Sequence, residues 1–160
     1  MATPTNLPAS FVAGAILTAD QQNNLRGAFR VLQLFSVQGS TTQTSTSATY
    51  ADITGLSVTI TPQSSSSKIM LVSANSLLAS ANDCEGNIRF LRGATNIFDS
   101  VQGILAANTG MSVSSMYLDS PATTSATTYK VQFARTAGTG TLYSNIGGTL
   151  SNFLVMEISA

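Results

Sequence analysis

The sequence predicts an all-β fold, an antiparallel sandwich of the jelly-roll kind, and three observations predict it. From Val31 onward, short runs rich in Val, Ile, Thr, Tyr and Phe alternate apolar and polar residues, the period of two that a half-buried strand requires. Clusters of Gly, Ser, Asn and Pro separate these runs, and no long helical period interrupts them. Charged residues make up only 9% of the chain, with 22 Ser and 21 Thr supplying polarity instead, whereas soluble domains average about 25% charge. At 160 residues the chain fits a single domain with a short appendage.

Residues 1–30 differ from the rest, because Pro4 and Pro8 hold the opening extended. Thr18-Ala-Asp-Gln21 has the spacing of a capping box, which predicts a helix start. Leu25, Phe29 and Leu32 then recur at four and three residues and make one narrow apolar stripe. A short helix of this kind is marginal alone in water, so the stripe must dock against something. Strands are expected near Val31–Val37, Thr49–Ile53, Leu56–Thr61 and Lys68–Asn75, with Leu56, Val58 and Ile60 inward and Ser57, Thr59 and Thr61 outward. Pro62 and Ser64–Ser67 form the turn between the last two. Further strands fit Asn87–Leu91, Thr95–Phe98, Met111–Leu118, Thr128–Arg135, Thr141–Asn145 and Thr149–Ile158. So many strands exceed one sheet at this length, which leaves two packed sheets with Tyr129, Val131 and Phe133 inside.

Composition also excludes functions. The chain contains no histidine, which removes the commonest base, proton shuttle and metal ligand near neutral pH. Seven basic residues balance seven acidic ones, so the positive field that nucleic-acid backbones demand is missing. Cys84 is a single cysteine and can form neither an internal disulfide nor a cysteine-rich zinc site. The apolar run from Phe11 to Leu17 has no preceding basic residue and is far too short to span a bilayer. No signal peptide, membrane insertion, cofactor or metal is expected.

Five groups of residues invite a chemical reading. The cluster Asn82-Asp83-Cys84-Glu85-Gly86-Asn87 crowds oxygen ligands suited to a hard cation, yet lacks calcium-loop spacing and fits a turn better. Asp99 and Asp119 could pair for glycoside cleavage, although Asp119 opens an Asp-Ser-Pro turn in which its carboxylate would bond the local backbone. Gly138-Thr-Gly140 and Gly147-Gly148 precede no helix, so they read as hairpin turns and not as phosphate cradles. Tyr50, Tyr117, Tyr129 and Tyr143 could stack on a sugar or fill the core, and strand periodicity favours the core. Arg89 and Arg92 either pair with acids across a subunit boundary or stand solvated beside a hairpin.

The opening from Leu7 through the Gly14 turn, Leu17-Thr-Ala and Asn24 resembles the leader of tail-fibre and head-fibre proteins of tailed bacteriophages. Gly55–Lys68, Arg89–Thr95 and Tyr117–Lys130 are similar to small β-structured virion proteins of phages. The resemblance implies a non-enzymatic, homotrimeric virion appendage on the particle exterior. Residues 1–30 would be its anchor and residues 31–160 its β-sandwich head, with Leu17, Leu25, Phe29 and Leu32 as the docking stripe. Its partners would be sister chains, other virion proteins through the N-terminal segment, and a host surface glycan or receptor. A tail-fibre or receptor-binding role comes first, with capsid decoration and carbohydrate binding as alternatives.

Overall fold

The alternation becomes ten strands in the computed structural model, which describes Ile16 and residues 30–159. They are β1 (Val31–Gly39), β2 (Gln43–Ser45), β3 (Ala51–Ile60), β4 (Lys68–Ala79), β5 (Cys84–Arg92), β6 (Thr95–Leu105), β7 (Thr109–Asp119), β8 (Thr127–Ala137), β9 (Leu142–Ser144) and β10 (Ser151–Ile158). One sheet runs β1-β10-β4-β7, with β9 continuing the β10 side of β4 and β2 outside β9. The other runs β3-β8-β5-β6, and every pairing is antiparallel. Successive major strands cross between sheets except at the β5–β6 hairpin, and this is the wiring of an eight-stranded jelly roll.

The inward positions supply the core. Leu56, Val58 and Ile60 on β3 are buried, as are Tyr129, Val131 and Phe133 on β8, while Ser57, Thr59 and Thr61 face water. Phe90 from one sheet lies 5.7 Å from Phe153 of the other, and Phe98 lies 5.5 Å from Tyr117, so aromatic rings tie the two layers together. Each fully buried Leu, Ile or Phe contributes about 1.5–3 kcal/mol.

Several elements differ from expectation, each for a physical reason. The two strands predicted on either side of Thr54-Gly55 are one, β3, bent by a register shift between Asp52 and Ser57. Gly55 takes φ +90° there, and a Cβ on it would stand 2.7 Å from the Gln38 carbonyl oxygen. The Thr41–Ser47 hydroxyl run hides the short strand β2, which pairs with β9. Gly138 and Gly140 join β8 to β9 in the opposite sheet, so that loop is a crossover and not a hairpin. Strands β9 and β10 lie in one lane along β4, interrupted by a 3₁₀ turn at Ile146–Gly148. Ser76 holds this excursion at both ends, its carbonyl accepting from the Asn145 amide (3.1 Å) and its amide donating to Ser151 Oγ (3.2 Å).

The predicted helix start at Thr18 and the stripe residues Leu17, Leu25 and Phe29 lie outside the described residues. Leu32, the last stripe position, is not helical, because the β10 ladder captures the chain from Val31 and leaves Leu32 half-buried in β1. Arg30 is already fixed to the end of the sandwich, its carbonyl accepting from the Ser159 amide (2.9 Å) and its amide donating to Ser159 Oγ (2.9 Å). No described helix is long and apolar enough to cross a membrane.

Candidate functional site

Strand alternation gives each sheet a second, outward set of side chains, and the two outward sets differ in chemistry. On β3-β8-β5-β6 the register places Asp52, Gln132, Arg89 and Asp99 in one row. Asp52 accepts from Lys130 Nζ (2.9 Å) and Gln132 Nε2 (2.5 Å), and Gln132 Oε1 accepts from Arg89 Nε (2.8 Å). The Arg89 guanidinium lies 3.8 Å above the Tyr50 ring, whose hydroxyl accepts from Asn87 (3.1 Å). Thr136 bridges from Asn87 to Glu85. Partial burial works against ionising Asp52, but the hydrogen bonds from Gln132 and Lys130 and the charges of Lys130 and Arg89 outweigh it, holding the carboxyl below its usual range.

The outward set on β1-β10-β4-β7 contains almost no charge. One row reads Leu34, Met156, Met70 and Leu118, and the next reads Ser36, Leu154, Val72 and Met116. Leu34 is 59% exposed, Met116 65% and Leu118 48%. Beyond them the row Gln38, Asn152, Ala74 and Ser114 is neutral and polar.

The buried carboxylates serve the frame. Asp119 lies between the sheets, where it accepts from both Arg92 Nη1 (3.0 Å to each oxygen) and the Tyr129 hydroxyl (2.7 Å). It does not bond its own turn backbone as the Asp-Ser-Pro pattern predicts, because its side chain points inward, where Arg92 and Tyr129 supply the donors a buried carboxylate needs. Burial, together with the adjoining Asp119 carboxylate, raises the Tyr129 phenol far above its usual range. Glu157, also buried, accepts from the Gln63 amide (2.7 Å) and from Gln33 Nε2 (2.7 Å), and so fastens the 61–67 turn to β10.

The remaining candidates separate. Asp99 is exposed and bonded to Asn96, sharing no partner with Asp119, so the carboxylate pair is not assembled. Asn82 and Asp83 form a turn, whereas Cys84 to Asn87 enter β5. Cys84 is fully buried, and burial pushes its thiol up. Among the described residues no group of three or more His, Cys, Asp or Glu could hold a metal ion. Arg92 pairs within the chain, and of the four tyrosines Tyr129 is core, Tyr117 and Tyr143 are half-buried, and Tyr50 joins the polar network. The apolar outer rows escaped the sequence reading, although a signal existed. Ile69-Met-Leu-Val72 and Phe153-Leu-Val-Met156 are unbroken apolar runs, the pattern of strands covered on both faces.

No family model and no curated protein matches the sequence. Solved structures of infectious bursal disease virus are similar in fold. The Gx strain aligns at TM-score 0.46 and 11% identity over 79% of this chain and 36% of that one, and the Gt strain at 0.45 and 10% over 79% and 40%. The VP2 subviral particle of that virus aligns at 0.43 and 9% over 80% and 38%. This chain thus spans two fifths or less of the chains it aligns with.

Proposed function

We propose that the chain is a non-enzymatic structural protein of a virion, a homotrimeric appendage with residues 1–30 as its anchor and the jelly-roll head displayed on the particle exterior. The single observation that carries this reading is the division of the head's exterior, one outward face apolar and the other a charged, hydrogen-bonded network. A subunit of an assembly needs one surface for neighbours and another for water. The jelly-roll wiring is used by viral capsid and lectin domains, and the opening segment's likeness to phage fibre leaders supports a tail-fibre or receptor-binding role.

The Tyr50–Arg89–Gln132–Asp52 network supports recognition of a host glycan, since it gathers an aromatic ring with donors and acceptors on the water-facing side. Gold-labelled antibody against the head, applied to purified particles, tests the proposal. Labelling of the tail with few copies per particle is expected. Labelling spread over the shell in many copies would favour capsid decoration, and absence from washed particles would refute a virion role.

A further inference from the structure

We propose that the apolar outer face of β1-β10-β4-β7 is the surface on which a second copy of this chain docks. The inference rests on the reading of the chain as an assembly subunit and names the surface that performs it.

Size is the first consideration. Four strands at about 4.8 Å spacing span roughly 19 Å, and four outward rows, the three above and a last one of Val31, Ile158 and Lys68, span roughly 25 Å along the strands with their side chains. That is a plan area of roughly 500 Å² per copy, so two copies bury about 1,000 Å², the lower bound for a specific interface. Lone apolar residues on a surface need no explanation, but here Leu34, Met156, Met70 and Leu118 stand directly beside Leu154, Val72 and Met116, a contiguous apolar patch at the centre of the face.

The chemistry of the face selects a like partner. Across the outward positions of these four strands Lys68 is the one charged side chain, and it lies at the end of the face with its Nζ bonded to Ser120 Oγ (2.7 Å). Glu157 and Asp119, the acids on the same strands, point inward and are buried. A charged partner would gain nothing here, whereas a copy meets no like-charge repulsion beyond Lys68. The polar border is made of Ser36, Gln38, Asn152 and Ser114, groups that each donate and accept hydrogen bonds. Such a border can pair with the equivalent groups of a sister chain. Met70, Met116 and Met156 add flexible thioether side chains that fill an irregular contact.

Sedimentation equilibrium of the full chain over a concentration series tests the proposal. The wild type is expected to associate, and the Met116→Lys/Leu118→Lys variant to dissociate with a constant weaker by about a hundredfold or more. Lys130→Ala on the opposite face should leave association unchanged. Should the lysine pair prevent folding, judged by circular dichroism, Met116→Ser/Leu118→Thr gives the same readout with milder chemistry. A wild type that stays monomeric, or variants that associate as tightly as wild type, would overturn the proposal. A monomeric chain still found in washed particles would sink this interface alone, while an associating chain absent from particles would sink only the virion role.

Discussion

Asp52, Gln132, Arg89 and Asp99 stand in a row across one outward face, and Leu34, Met156, Met70 and Leu118 stand in a row across the other. Both rows cross four antiparallel strands over a shared core, so the backbone does not account for the difference. What differs is the demand placed on each surface. Asp52, Gln132 and Arg89 of the first row are linked by side-chain hydrogen bonds within the chain, and the row tolerates water around it. The second row has its polar groups only at the border and leaves hydrocarbon in water unless another surface covers it. The comparison teaches that charge is not spread evenly over the two outward faces: Asp52, Lys130, Arg89 and Asp99 stand on one, whereas Lys68 at the end of the other leaves most of that face free to associate.

The frame common to both faces yields the largest effect. Asp119→Ala strips Arg92 and Tyr129 of their shared acceptor between the sheets, and urea denaturation should show a loss of about 2–3 kcal/mol, most of it from the buried Tyr129 hydroxyl left unpaired. A loss below about 1 kcal/mol would mean that the clamp does not fix the two layers, and the faces could then not be treated as rigid.

Arg89→Ala breaks the polar network at its centre, removing the contact over Tyr50 and the bond to Gln132. Partly exposed interactions of this sort contribute about 0.5–1 kcal/mol, and association should not change. A change in oligomeric state would erase the distinction drawn between the faces.

The smallest effect belongs to Asp52→Asn, because that carboxylate is half exposed and its ion pair with Lys130 is screened by water; the cost at neutral pH should stay under about 1 kcal/mol. The sign of its pH dependence follows from the direction of its shift. A carboxyl held below its ordinary value of 3.8 stabilises the fold above that value, and the contribution is lost as pH falls through the lower folded-state value. The difference between wild type and variant should therefore be constant near neutrality and vanish in acid. A difference that grew on acidification would contradict the network geometry.

Much of the fold was legible because period-two alternation directly encodes which side chains enter a two-layer core, as at Leu56, Val58, Ile60 and the Tyr129–Phe133 strand. The hydroxyl strand β2 was not, since Gln43-Thr-Ser45 carries no apolar contrast and is defined by pairing with β9. Asp119 was misread because a turn motif speaks only of neighbours in sequence, while its partners Arg92 and Tyr129 come from two other strands. The outer face went unread for a related reason. Where both sides of β4 and β10 are apolar the alternation disappears, and Met70 or Leu154 looks like core until the register sets it outward.

Thiol labelling of the native protein compares the two faces most directly. Met116→Cys and Ser57→Cys each place one reactive sulfur on an outward, exposed position, one per face, while the buried Cys84 stays silent. At concentrations where the chain associates, Cys at 57 should react at the rate of a free thiol and Cys at 116 should be protected, losing that protection on dilution. Equal labelling of both positions at every concentration would contradict the account.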